Sequence, residues 1–287
     1  KGEKTLHGIN LFVLALLTVI FFYPLWHCLM ASFSDPTSLI GYKGLISLPM
    51  GFSLEGYKTV LQNKNILTGY MNTLFYLVAG TAINMVLTIL GAYVLSRRRM
   101  MLKGPLTLLI VFTMYMDFGL IPAFLNVRDL GLYDSRWAIL LPVAINTYNL
   151  IVMRTAFASV PAALEESAMI DGAHPLRIVF QIIMPLSAPI LAVLTLWNAV
   201  GQWNAWFDAM IYTPDGSMTV LQLVVRRMLA SSAIDDSSTM MSTTMADLTT
   251  TTLKSATIVI STLPIVILYP FLQKHFVKGV MLGAVKG

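Results

Sequence analysis

The chain alternates long apolar runs with short polar joints. Six stretches stay apolar for long enough to cross a bilayer: residues 9–31, 70–95, 106–125, 137–155, 182–211 and 256–272. A hydrocarbon layer of roughly 30 Å takes about 20 helical residues. Lipid offers the backbone no hydrogen-bonding partner, so each run is predicted to be a helix and not an open strand. The fifth run is the longest and carries Pro185 and Pro189 near its start, which predicts a bend there.

The joints set the orientation. Arg97, Arg98 and Arg99, with Lys103, lie between the second and third runs and mark that joint as cytoplasmic. Both termini then fall inside, where Lys1, Lys4, Lys274, Lys278 and Lys286 are found. The segments assigned outside are acidic: Asp35, Glu55, Asp129, Asp134, Asp208, Asp215, Asp235, Asp236 and Asp247 make up nine of the 14 acids. Two external connections are large, residues 32–69 and 213–253. The first carries turn-making glycines and a short interfacial helix over 53–61; the second carries an amphipathic helix over 221–229 with Arg226 and Arg227. Residues 231–252 are rich in Ser, Thr, Met and Asp, and read either as a solvated loop or as a loop that docks a partner outside the cell.

Composition agrees with the pattern. Hydrophobic residues make up 56% of the chain and charged residues 11%, where a soluble domain needs about a quarter charged. The pI near 9.3 follows from the asymmetric placement of Lys and Arg. Nucleic-acid binding would need a basic face that the chain lacks. Residues 9–31 are longer than a secretory h-region and no small-residue cleavage site follows, so this run reads as a retained span. Cys28, the single cysteine, lies within it and cannot form an internal disulfide. No Gly-x-x-x-x-Gly-Lys-Ser/Thr phosphate loop, nucleophile elbow or His-Glu-x-x-His zinc pattern occurs, and the four histidines are scattered. The chain is therefore expected not to be an enzyme and to carry no metal or cofactor of its own.

One polar joint stands apart. Residues 154–177 form the largest cytoplasmic segment, predicted to hold a short helix over about 161–172. Pro161 suits a first turn, Glu165 and Glu166 suit the positive end of the dipole, and Gly172 suits the left-handed position after the last turn. On these residues alone it is an ordinary interfacial helix. Its spacing adds more. Glu166-Ser167-Ala168, three residues, Gly172, nine residues, Ile182, one residue, then Met184-Pro185 resembles the EAA signature of ABC importer permeases, with Ser167 in place of Ala and Met184 in place of Leu. Further likeness lies in Asn146-Thr147-Tyr148-Asn149 with Met153-Arg154-Thr155, in Trp203-Asn204-Ala205-Trp206, in Asp134-Ser135-Arg136-Trp137, and in the tail from Phe271 to Gly279 and Gly283 to Gly287. Together these are similar to carbohydrate-uptake permeases related to the second permease of the maltose importer, a subgroup that includes lipoprotein-type, pectin-oligosaccharide and alginate importer permeases.

The resemblance implies an all-α polytopic membrane protein of the type I ABC importer permease fold, with six transmembrane helices in a single domain over residues 1–287. It implies a bacterial cytoplasmic (inner) membrane location. The expected partners are membrane lipid, a second homologous permease in a heterodimer, two ATPase subunits that hold the ATP and Mg, and an extracytoplasmic solute-binding protein. Coupling to the ATPase would run through Glu165, Glu166, Ser167, Ala168, Asp171, Gly172 and Pro185. The binding-protein contact would use Asp235, Asp236, Met240 and Met241. The cargo implied is an oligosaccharide, with uronate-containing fragments of alginate or pectin in the class.

Sugar is bound by hydrogen-bonding groups together with flat aromatic faces. Candidates for its path are Tyr115, Asp117, Asn126, Asn146, Tyr148, Asn149, Asn198, Trp203, Asn204 and Trp206. Trp203 and Trp206 equally suit an interfacial anchor, and Asn198 equally suits helix–helix contact. The resemblance places most sugar contacts on the companion permease. The alternative function is a secondary transporter or channel driven by an ion gradient, although neither inverted repeats nor paired intramembrane carboxylates occur.

Overall fold

All six apolar runs are helical, wholly or in part, in the computed structural model, which describes residues 2–39, 42, 44–97, 100–116, 118–238 and 251–267. In chain order the helices are α1 (Gly2–Ser32), α2 (Glu55–Gln62), α3 (Lys64–Ser96), α4 (Lys103–Tyr115), α5 (Leu120–Asp129), α6 (Trp137–Leu140), α7 (Thr147–Ala158), α8 (Ala162–Ile170), α9 (Pro175–Ile178), α10 (Met184–Leu186), α11 (Ala188–Asn204), α12 (Phe207–Tyr212), α13 (Leu221–Ser238) and α14 (Thr251–Ile267). Among the described residues the only extended pairing is an isolated bridge between Ser34 and Phe52.

The runs differ in how far they stay unbroken. Leu6–Ser32 and Lys64–Ser96 are each long and apolar enough to span; α4 with α5, and α9–α10 with α11, pass only as bent pairs. Where six spans are expected, the described residues hold two continuous spanning helices, or four when each bent pair counts as one. The fourth run breaks after Leu141, whose φ and ψ are still helical, because Pro142 has no N–H to donate to the next carbonyl of the ladder. The Asn84 amide donates to the Val143 carbonyl at 3.2 Å within that break. Asn146 then restarts the helix, its side chain accepting from the Asn149 N–H at 3.0 Å. The described part of the sixth run, Thr251–Ile267, is apolar but short.

The chain divides into two compact units. The first holds Lys1–Leu67 and Val224–Pro264. Here α1 carries apolar side chains that remain exposed nearly all round, including Leu6, Phe12 and Phe21, as a helix bathed in lipid requires. Gly56 on α2 meets Thr252 and Ala256 on α14; a Cβ on Gly56 would lie 2.9 Å from the Thr252 methyl. That approach is why glycine stands there. Phe33 packs against Phe52 and Tyr57, and the Ser32 hydroxyl is 2.7 Å from the Tyr57 hydroxyl.

The second unit holds Thr68–Leu223 and Ile265–Gly287. Its main core takes Met85, Ile89, Ala92 and Leu95 from α3, Leu150, Met153 and Phe157 from α7, Ala168 from α8, and Ile178, Val179, Ile183 and Leu194 beyond. The three-to-four spacing on α3 and α7 is what turns these side chains onto one face. The connection before α13, read from sequence as an external loop, is tied to α3. The Asn72 amide donates to the Ser217 and Thr219 carbonyls at 2.8 and 3.0 Å, and the Leu221 N–H donates to the Thr73 hydroxyl at 2.9 Å. The helix that follows runs to Ser238 and not to Leu229, because nothing in the sequence from Ala230 to Ser238 breaks it.

Candidate coupling surface and transmembrane cavity

The C-terminal end of α3 is a collecting point for cations. Its last carbonyls have no partner within the helix, and the dipole makes this end negative. The Arg154 Nε donates to the Leu95 carbonyl at 3.3 Å, and the Lys103 Nζ to the Ser96 carbonyl at 3.3 Å. Arg97 follows directly. Its guanidinium lies 4.7 Å over the Tyr93 ring and donates to the Ser96 hydroxyl at 2.9 Å and the Phe157 carbonyl at 3.4 Å. Burial pulls the guanidinium down from its ordinary value, with Tyr93 acting in the other direction. It remains a cation at any working pH.

Glu165 on α8 meets this cluster. Its carboxylate forms an ion pair with Arg97 and accepts from the Tyr93 hydroxyl at 2.8 Å. The residue is only 7% exposed. Ala168, one turn on, sits in the core, so positions 165 and 168 fix one face of α8 to the body of the unit. The rest of its surface is open: Glu166 and Ser167 are exposed, and Leu164, Met169 and Ile170 present apolar surface, Ile170 at 85% exposure.

The end of α8 is set by its backbone. Asp171 is the C-cap, and Gly172 follows with φ +76°, a left-handed value that glycine adopts without strain. The Gly172 N–H donates to the Met169 carbonyl at 3.1 Å and the Ala173 N–H to the Ala168 carbonyl at 2.9 Å. This pair of bonds is the Schellman arrangement. Pro161 sits just before the helix, at the N-cap, and not inside it.

Beyond the turn, α9 opens on Pro175 and widens into a π-helical stretch, Val179–Ile183, closed by the Met184 N–H to the Val179 carbonyl. Pro185 follows, exposed, and has no N–H to continue a regular ladder. A break at Ser187 then turns α11 through 90° from the segment before it. π-Turns of this kind cluster at functional sites. The polar joint thus reaches α11 through a structured corner.

A cavity of about 430 Å³ opens along α11. Four of the predicted path residues line it: Asn146, Tyr148, Asn149 and Asn198. Trp197, Gln202 and Asp208, not predicted for it, line it as well. The Tyr148 and Trp197 rings are stacked, centroids 6.0 Å apart and planes at 25°. The Asn198 amide donates to the Leu194 carbonyl at 3.1 Å.

The other candidates lie elsewhere. Trp203 is 2% exposed and packs edge-on against Tyr70, centroids 5.6 Å apart. Trp206 packs against the cluster of Tyr76, Ile139 and Ala209. The exposed Asn204 donates back to the Val200 carbonyl at 2.9 Å, and the exposed Tyr115 ends α4. Asn126 is exposed on α5. Asp117, Met240, Met241 and the tail from Phe271 lie outside the described residues, as do Arg98 and Arg99. Asp235 and Asp236 fall on the last two turns of α13.

Sequence could have signalled the missed Gln202, which follows the predicted Asn198 by one turn of the same apolar helix. No local signal linked Arg97 or Tyr93 to Glu165, since only the fold brings them together.

Comparison with known proteins agrees with this geometry. Residues 97–282 match the family model described as the binding-protein-dependent transport system inner membrane component. The chain is 41% identical, over 96% of its length and 96% of the relative, to the polygalacturonan/rhamnogalacturonan transport system permease protein YtcP of Bacillus subtilis (strain 168). It is 37% identical to protein LplC of the same organism, over 100% of its length and 97% of that protein. Among solved structures, a bacterial ABC transporter involved in the import of the acidic polysaccharide alginate has a chain that superposes with a TM-score of 0.88 at 32% identity, over 96% of this chain and 98% of that one. The chain belongs to the family of binding-protein-dependent transport system inner membrane components, among the carbohydrate ABC importer permeases.

Proposed function

We propose that this chain is the pore-forming permease subunit of a binding-protein-dependent ABC importer for oligosaccharides, in a bacterial cytoplasmic membrane. A second homologous permease completes the pore, and two ATPase subunits bind ATP and Mg and hydrolyse the nucleotide. An extracytoplasmic solute-binding protein delivers the sugar, with Asp235, Asp236, Met240 and Met241 on its contact segment. The names of the relatives support a carbohydrate cargo and include acidic polymers. Family membership favours this reading over an ion-gradient transporter.

The observation that carries the coupling role is the two-faced α8. One face is held to the core by Glu165 and Ala168, while Glu166, Met169 and Ile170 stand exposed. A helix so held transmits a push without rotating. The ATPase would press on the exposed face, and the Gly172 turn, the π-helical corner and Pro185 would pass the displacement to α11 and its cavity. Affinity purification of this chain from membranes tests the assembly. An ATPase and a second permease in the eluate, with uptake that stops without ATP, fit the proposal. Recovery of the chain alone, with uptake driven by an ion gradient, overturns it.

A further inference from the structure

The α11 cavity carries a charge pattern that selects among sugars. We infer that it takes an uncharged glycosyl unit and rejects a uronate. This deepens the importer reading above and rests on it.

Its polar lining is made of amides, one phenol and one carboxylate: Asn146, Asn149, Asn198, Gln202, Tyr148 and Asp208. Amides offer both donors and acceptors, which is what sugar hydroxyls require. The Asn198 Nδ2 donates to the Leu194 carbonyl and to the Met85 Sδ, which leaves its Oδ1 to accept. Asn146 has committed its Oδ1 to the Asn149 N–H, which leaves its Nδ2 to donate. The stacked Tyr148 and Trp197 rings, 49% and 42% exposed, present a flat apolar surface to the C–H face of a pyranose. The volume of about 430 Å³ lies within the range of small-ligand sites.

Charge then decides the class. Among the described lining residues there is no Lys, Arg or His. A uronate entering from water would lose hydration with no cation to pair with, and burying an unpaired carboxylate is costly. Asp208 in the wall adds a second acidic group where a counter-charge would be needed. A neutral glycosyl unit meets neither obstacle, because its hydroxyls donate to the Asp208 carboxyl. The same wall attracts one class and repels the other, which is how specificity between near-isosteric ligands is built.

The test uses the assembled permease–ATPase complex in nanodiscs, without its binding protein, and reads tryptophan fluorescence. Galactotriose and trigalacturonate are titrated at equal ionic strength. The neutral sugar should bind at least about tenfold more tightly, or about 1.4 kcal/mol. Trp197→Phe should remove most of the signal. Asp208→Asn, close in shape, should narrow the gap to about threefold, a change in charge selectivity that a merely structural role would not produce. Equal or tighter binding of trigalacturonate to the wild-type complex overturns the inference, as does no binding of either sugar or an unaltered gap in Asp208→Asn. The wild-type comparison needs no variant to fold. Failure of ATP-driven import of any oligosaccharide by the complete system would sink the importer reading itself; import without the charge gap sinks only this inference.

Discussion

The carboxylate of Glu165 on α8 is ion-paired with the guanidinium of Arg97 at the end of α3, in a site where the Glu165 side chain is 9% exposed and the Arg97 side chain 21%. Helix α8 is thereby fastened to the longest described helix by charge as well as by packing. Breaking a buried pair by removing one partner leaves an uncompensated charge. Because Arg97 keeps some contact with water, the loss from Glu165→Ala should fall near the low end of the buried-pair range, roughly 3 kcal/mol. Glu165→Gln can still accept from Tyr93 and should lose less. Thermal melting of the purified complex measures both, and an alanine variant that melts like the wild type contradicts the assignment.

Gly172 has φ +76° with nothing within 4 Å of where a Cβ would stand. Substitution there meets backbone strain alone. Gly172→Ala should cost about 1 kcal/mol, Gly172→Asn less, because asparagine tolerates the left-handed region, and Gly172→Val more. Uptake per ATP hydrolysed should follow the same order. Equal coupling across the three variants would show that the turn geometry is dispensable.

Two tryptophans on one helix should behave differently. Trp197 faces the cavity and stacks on Tyr148, so Trp197→Ala should raise the KM for uptake roughly fivefold, the loss of about 1 kcal/mol of aromatic contact, while stability changes little. Trp203 is buried against Tyr70, so Trp203→Ala should instead cost about 3–5 kcal/mol of stability. Kinetics and melting curves on the two variants separate the roles. The opposite pattern would exchange them.

That contrast shows what was legible in the chain. Local pattern was enough to find the apolar helical runs, the short helix α8 and the turn at Gly172, because each depends on residues close in sequence. Breaks were harder. A window of about 20 residues averages over Pro142 and Gly119 and so reads a broken helix as one span, whereas Pro185 and Pro189 did announce the bend at Ser187. Trp203 looked like a ligand-facing residue because its composition context, Trp-Asn-Ala-Trp, is the same whether the ring faces a cavity or Tyr70. The Glu165 anchor was invisible for a related reason. Arg97 carried an orientation signal, and nothing local links it to an acid on another helix.

The connection before α13 carries a pH dependence. Ser217 donates its hydroxyl and its backbone N–H to Asp215 at 2.8 and 3.2 Å, holding the carboxyl below the usual carboxylate range. A folded value below the unfolded one stabilises the turn above the unfolded value, and that contribution is lost as pH falls through the folded one. Amides of residues 215–219, corrected for intrinsic chemistry, should exchange faster once the pH drops below about 4. Asp215→Asn should flatten that dependence; an unchanged profile in the variant would assign it to another group.

On the proposed reading, the exposed face of α8 passes force from an ATPase to the pore, with Glu166 as its charged contact. Glu166 is exposed and makes no contribution to the core, so Glu166→Lys should leave insertion and melting unchanged. The decisive measurement is substrate uptake alongside ATP hydrolysis in proteoliposomes containing the complete importer. Reversing the charge of a contact that must hold during transport should reduce uptake by at least about tenfold, the equivalent of about 1.4 kcal/mol. ATP hydrolysis should persist at its uncoupled level. Wild-type uptake by the Glu166→Lys importer would contradict the account.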